Sequence, residues 1–446
     1  MLGDPRRALR MMAAPMLISL LVAQLNTFVD TFWCAGLGAV PLAAVGMVAS
    51  IYLILAGIGN GVGVGVSASL AAKVARRDKP AADAVAAQAL VFMVLIGLLC
   101  IPIFLVIGNP ILLAAGGSEM YPDCRAYALP FYLGAALIVI QGVAAGILRG
   151  EGAARKAMAV LITAAVFNIV FDPLFTFIFN WGIAGLAWAT IAATALSLLP
   201  FVYWYFIAPT HTYLDIRLRD FRFSRPLLRD FLSIGVPKAV ELDIMAVVNF
   251  VLNFFVVSCG GAVGYAVYVT SWRFTDLMLV PSQAIAGALV PICAAAFGRF
   301  DFSKMRTAYG IAMKWSLVIA AVLAMFIFLA APWLMIMFTY TGTAADLREP
   351  LVHTTRIFLL IGVMYSAVNI SSSLLQALRM AKNSMWSTLI RNLLLIVVFA
   401  ITSLYSLDAM WWGFVACEII GLVLMVGWAE AGYRKRRAES GRAGSS

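Results

Sequence analysis

The sequence predicts an all-α polytopic membrane protein, with twelve transmembrane helices in two six-helix lobes related by pseudo-two-fold symmetry around a central cavity. Three observations carry this. The chain is 63% hydrophobic and 12% charged, with a mean hydropathy of +0.97, whereas soluble domains are about half apolar and a quarter charged. Many apolar runs exceed eighteen residues, enough for a helix to cross a hydrocarbon core of about 30 Å. The third is a repeat across the midpoint. A β-barrel is excluded because its strands alternate over about ten residues instead of running solidly apolar.

Apolar runs between breakers place segments 1 to 6 at 9–34, 43–74, 84–108, 122–149, 156–179 and 184–207. Segments 7 to 12 follow at 226–258, 262–297, 305–329, 351–378, 383–405 and 410–433. Short basic clusters follow the even-numbered segments: Lys73 to Lys79, Arg149 to Lys156, Arg217 to Arg229, Arg299 to Arg306, Arg379 with Lys382, and Arg434 to Arg437. The opposite loops are nearly free of Lys and Arg, Arg348 being the exception. This is the positive-inside pattern. It puts both termini in the cytoplasm of a cell-membrane protein, and it explains the net charge of +11 without nucleic acid as a partner. The basic stretch before segment 1 shows no cleavage site, so that segment is expected to be retained.

The polar stretch 208–225 falls at the midpoint. It divides an amino-lobe (1–207) from a carboxy-lobe (226–433), with a basic tail at 434–446. A shift of 223 residues sets Asn26 on Asn249, Asp30 on Asn253 and Arg76 on Arg299. Further on, ILRGEGAARKAM matches QALRMAKNSM at a shift of 230, which puts a threonine, Thr402, opposite Asp172. Both halves start from the cytoplasm, so the repeat is parallel. Two matched lobes around a cavity suit an alternating-access carrier.

Such a carrier needs polar groups at membrane depth, where an ionised acid costs roughly 2.5–3.5 kcal/mol or more. Asp30 lies in VAQLNTFVDTFW, with Asn26 one turn earlier on the same face. Alone it could be an acid reaching the outer interface. A second acid repeats the spacing: Asn168 and Asp172 in AVFNIVFDPLFTF, with Pro173 freeing a backbone carbonyl. Thr190 adds a hydroxyl that could serve as a ligand or simply bond its own i−4 carbonyl. Two neighbouring acids in a low dielectric could not both stay ionised, so one would hold a proton or a cation. Asp30, Asp172, Asn168, Thr190 and Asn26 are therefore the candidate cation-coupling residues, taking H+ or Na+.

Other signals are weaker. Glu241, Asp243, Arg273 and Asp276 put charges in segments 7 and 8, and structural pairing of Lys238 with Glu241 and of Arg273 with Asp276 is expected. Met47, Tyr52, Tyr132 and Gln141, with Arg273 and Asp276, are candidates for lining a polyspecific substrate cavity. The six cysteines form no CxxC pair; a disulfide among Cys34, Cys124 and Cys259 stays open. GIGNGVGVGVSAS lacks the GKS or GKT of a phosphate loop. His211 and His353 sit at helix ends or in the linker, and no nucleophile–base pair, metal cluster or ATP motif is visible. The chain is expected to be no enzyme, to need no cofactor, and to draw on an ion gradient.

The chain resembles the multidrug and toxic compound extrusion (MATE) family over essentially its whole length. The resemblance rests on GDP at 3–5, the AP...N...VDTFW pattern, LAAVG at 42–46, LRGEGAARKA at 148–157, NIVFDPLF at 168–175 and WGIAGLAWAT at 181–190. Asp30, Asn168, Asp172 and Thr190 resemble the amino-lobe cation site of the prokaryotic DinF-like branch. The resemblance implies that loading this site bends helix 1 and discharges substrate, a bend that Pro15 could accommodate. It also implies efflux of amphipathic, mostly cationic small molecules across the bilayer by H+- or Na+-coupled antiport. A carrier cavity within one chain would work as a monomer. The competing expectation is a flippase for a lipid-linked precursor, as in the same broad superfamily (MOP). Such a carrier needs a basic cavity, and this chain offers Arg273 against two acids. An integral membrane enzyme or receptor lacks its constellation, and a major-facilitator carrier lacks its loop motif in AAKVARRDKPAA.

Overall fold

The computed structural model describes residues 4–35, 37, 39–207, 212–216, 222–338 and 347–443; His211 and Arg217 lie outside them. The described residues are nearly all helical. The helices are α1 (Pro5–Ala35), α2 (Ala39–Ala75), α3 (Lys79–Ile103), α4 (Asn109–Leu133), α5 (Ala135–Glu151) and α6 (Ala154–Pro173). They continue with α7 (Gly182–Val202), α8 (Arg225–Gly298), α9 (Phe302–Leu334), α10 (Arg348–Ala377), α11 (Ala381–Thr402) and α12 (Leu407–Ala443). Among the described residues, 11 helices are long and apolar enough to cross a membrane, or 12 with one bent pair taken as a span.

That bent pair corrects segment 4, expected as a single helix. Tyr121–Leu133 and Ala135–Glu151 meet at 52°. The break falls at Gly134, whose N–H turns back to the carbonyl of Pro130 at 2.8 Å. Any side chain at Gly134 would strike Ile191, 2.4 Å away, so the bend brings the chain closely against α7. Segments 7 and 8 form one helical run, α8, interrupted by Gly261 at φ 60°, a conformation that glycine adopts freely.

The helix ends confirm one stretch of the repeat and re-register another. Arg77 (φ 60°) and Phe300 (φ 58°) share the left-handed conformation, and each precedes an aspartate capping the next helix. Asp78 accepts from the Ala81 N–H at 3.2 Å and Asp301 from the Lys304 N–H at 2.9 Å. Both pairs keep the shift of 223. Later, α5 ends on Gly152 (φ 91°) and α10 on Arg379 (φ 62°). The following N–H of each, at Ala153 and Met380, reaches five residues back at 2.8 Å. These equivalent ends make the shift 227, not 230, because Arg149, matched to Arg379 by residue type, lies three residues before the left-handed position at Gly152. Asp172 then falls on Phe399 instead of Thr402, and Asn168 on Leu395, both buried among apolar side chains.

The chain divides into two compact units. The first holds Arg10–Asp243, so the opening stretch of α8 packs with α2 rather than starting the second unit. A Cβ on Gly61 would lie 2.3 Å from the backbone nitrogen of Ala239, and one on Gly65 would lie 2.2 Å from the Phe231 carbonyl. Bare glycine faces permit this approach. Lys73 pairs with Asp230 at 2.7 Å alongside the Ser69 hydroxyl, at 2.5 Å from the same carboxylate. The second unit holds the described residues before Arg10 and those from Ile244 onward; in it, Tyr268, Phe358, Trp411 and Phe414 build an aromatic core with Phe399.

Candidate functional site

The polar residues expected at membrane depth converge within the first unit. On α1, Asn26 and Asp30 share a face, and the Asn26 amide donates to Asp30 Oδ2 at 3.3 Å. On α6, the Asn168 amide donates to Asp172 Oδ1 at 2.8 Å. The two helices are joined where Asn26 Nδ2 donates to Asn168 Oδ1 at 2.6 Å. From α7, Thr190 Oγ1 accepts from Asn168 Nδ2 at 3.4 Å and itself donates to the Leu186 carbonyl at 3.1 Å. The i−4 carbonyl bond expected for Thr190 is thus present, and its oxygen also faces Asn168. Asn168 and Asp172 are buried, while Asn26 and Asp30 are half-buried.

What the network lacks defines its chemistry. Asp30 Oδ1, Asp172 Oδ2 and Asn26 Oδ1 are buried without a donor among the described residues. The two carboxyl groups lie within electrostatic range of each other. Two acids near each other in a low dielectric disfavour double ionisation. Three uncommitted hard oxygens suit a small cation. No group of three or more His, Cys, Asp and Glu side chains placed to hold a metal ion occurs among the described residues. Tyr52 and Tyr127 lie within electrostatic range of Asp30.

Both helices that carry the acids are loosened near them. Pro173 follows Asp172 and α6 relaxes into a wider π turn, Leu174–Ile178, where Phe179 N–H reaches the Leu174 carbonyl at 2.9 Å. In α1, Pro15 interrupts the backbone ladder, and its own carbonyl accepts from the Ser19 hydroxyl at 2.9 Å.

The remaining candidates scatter. Tyr132 is fully enclosed, stacked on Phe104 with Gly108 against its hydroxyl, so it lines no accessible cavity. Met47 and Tyr52 are half-buried, packing against Cys124 and Phe131 respectively. Gln141 is committed to Ser197 at 2.8 Å. Lys238 and Glu241 pair at 2.8 Å, while Asp243 presents a buried oxygen toward Gly57. In the second unit Arg273 is exposed and Asp276 is half-buried. All six cysteines are free, Cys34 and Cys124 being buried. Sequence reasoning missed Tyr127, and it missed Arg391 and Glu418, a buried pair at 3.1 Å in the second unit. The rule that singled out Asp30, a charge inside an apolar segment, would have found both.

A family profile described as MatE matches residues 15–174 and 237–402. The multidrug export protein MepA of Staphylococcus saprophyticus is 22% identical over 418 residues, 92% of this chain and 90% of the relative. An FAD transporter of Shewanella oneidensis is 25% identical over 71% of each chain. A solved structure of MATE in complex with MaL6 superposes with a TM-score of 0.93 at 31% identity, covering 98% of both chains. The fold is therefore the twelve-helix, two-lobe fold expected from the repeat. The chain belongs to the MATE family of multidrug-efflux transporters.

Proposed function

We propose that the chain is a cation-coupled antiporter that expels amphipathic, mostly cationic organic compounds by alternating access. The observation that carries this reading is the Asp30–Asp172 pair with its uncommitted oxygens, built from α1, α6 and α7. Within hydrocarbon a net charge there is costly. Entry of H+ or Na+ removes it, and the state with the better-neutralised site is favoured. Coupling equals the difference in ion affinity between the two states, and substrate release follows by reciprocity. Asn26, Asn168 and Thr190 hold the carboxyls in register, and Pro15 and the π turn after Pro173 give α1 and α6 room to respond. The site lies in one compact unit of one chain and needs no second copy, and both termini are assigned to the cytoplasm by the basic clusters.

The test is efflux of ethidium from vesicles under an imposed gradient, for the wild type, Asp30→Asn and Asp172→Asn. Gradient-driven efflux should fall about tenfold or more in each variant, with unchanged thermal melting of the purified protein. Efflux that survives both substitutions sinks the coupling role. Exchanging the proton gradient for a sodium gradient identifies the ion.

A further inference from the structure

The second unit contains a polar seam between α10 and α11 whose middle rung is open. The antiparallel register is fixed at two places. Ser372 and Ser384 hydroxyls bond at 2.7 Å, with Gln376 donating to Ser372 at 2.9 Å. Seven residues away on each helix, the Arg391 guanidinium lies over the Tyr365 ring at 5.1 Å. Three residues from the serine rung, the same register sets Asn369 opposite Ser387.

This middle rung is polar on both sides and unclosed. Asn369 Nδ2 and Ser387 Oγ are buried atoms with no hydrogen-bond partner among the described residues. Two neighbours share the condition: Arg391 Nε and Asn392 Nδ2 also lack acceptors. The arginine is otherwise committed, Nη1 to both Glu418 oxygens at 3.1 and 3.2 Å and Nη2 to Asn392 Oδ1 at 3.0 Å. Room for it is made by Gly421, where a Cβ would meet Arg391 Cδ at 2.5 Å. Ser387, Arg391, Asn392 and Glu418 are each more than nine-tenths buried, whereas Tyr365 and Asn369 are half-buried.

Unpaired buried donors are costly and seek acceptors. All the unpaired groups here can donate, and the neighbouring charge is a guanidinium whose counter-ion is already engaged. A cation is disfavoured at such a place; an oxygen acceptor fits. We infer that the rung between Asn369 and Ser387 binds a carbonyl or carboxylate oxygen of the transported molecule. It selects, among amphipathic cations, those that also carry such an acceptor. This rests on the reading of the chain as an efflux carrier and adds a substrate feature that the acid pair in the first unit cannot recognise.

The experiment uses three probes that differ at one end: butyltriphenylphosphonium, (3-carboxypropyl)triphenylphosphonium and the methyl ester of the latter. Binding to the purified full-length protein is measured in detergent without any gradient. Acid and ester should bind about fivefold more tightly than the butyl compound. Ser387→Ala and Asn369→Leu, which leave Arg391 and Glu418 in place, should erase that advantage while butyl affinity and melting temperature stay unchanged. Equal affinity of the three probes for the wild type overturns the inference, as does failure to bind any of them. An advantage that survives both substitutions overturns it too, and leaves the rung to water alone. Ethidium efflux that survives both Asp30→Asn and Asp172→Asn in the vesicle assay, by contrast, would overturn the coupling reading and leave this selectivity standing.

Discussion

Asn26 and Asn168, 142 residues apart in the chain, are joined side chain to side chain at 2.6 Å. This bond makes one network of two acids that the sequence shows only as separate N-x-x-x-D spacings. Asn168 is its hub, giving to Asp172 and Thr190 and receiving from Asn26. Asn168→Ala should therefore weaken ion affinity more than any other amide substitution. Losing one buried hydrogen bond costs about 1–3 kcal/mol, so a shift of about tenfold or more is expected in the ion concentration giving half-maximal efflux. A titration of efflux rate against H+ or Na+ reads it.

Thr190→Val should do much less. The hydroxyl spends its proton on the Leu186 carbonyl and meets Asn168 only at 3.4 Å, a long contact. The same titration should move by less than about tenfold, in line with a net worth of about 0.5–1.5 kcal/mol for an ordinary hydrogen bond. A complete loss of coupling would mean that the hydroxyl is a direct ion ligand.

Two glycines of α2 should behave oppositely. Gly61→Ala places a methyl 2.3 Å from the Ala239 backbone, so the helices must separate, at a cost of about 1–3 kcal/mol. Gly46→Ala meets nothing within 4 Å and should be neutral or stabilising by up to about 1 kcal/mol. Thermal melting in detergent compares them directly.

The Lys73–Asp230 pair, with side chains 14% and 11% exposed, should show the asymmetry of shielded ions. Lys73→Met alone strands a carboxylate beside Ser69 and should destabilise by about 3 kcal/mol or more. Joint replacement by Met and Leu should recover much of that loss. A double-mutant cycle on melting temperatures isolates the coupling.

The span pattern and the acid spacing were legible because a charge in an apolar run is conspicuous wherever it points. Tyr132 was not legible as a core residue, since a helix apolar all round gives no sign of which face is enclosed. The bend at Gly134 was hidden by unbroken apolarity, although Pro130 lies four residues before it. The register error opposite Asp172 arose because similarity of residues at Arg149 and Arg379 outweighed the positions of the helix ends. Only backbone conformation shows that Gly152, and not Arg149, is the equivalent of Arg379. Convergence of Asn369 and Ser387 likewise needs the packing of two helices, which spacing within either one does not encode.

The first compact unit runs to Asp243, well into α8. During synthesis, six hydrophobic segments can leave the ribosome while Gly61 and Gly65 of α2 still face an unfilled groove, because Phe231 and Ala239 have not yet been made. The amino-terminal half is thus an unfinished object until translation has passed the midpoint. A fragment cut at the polar linker 208–225 would be released with that groove open to lipid or to chaperones, whereas one ending near residue 243 carries its own closing strip.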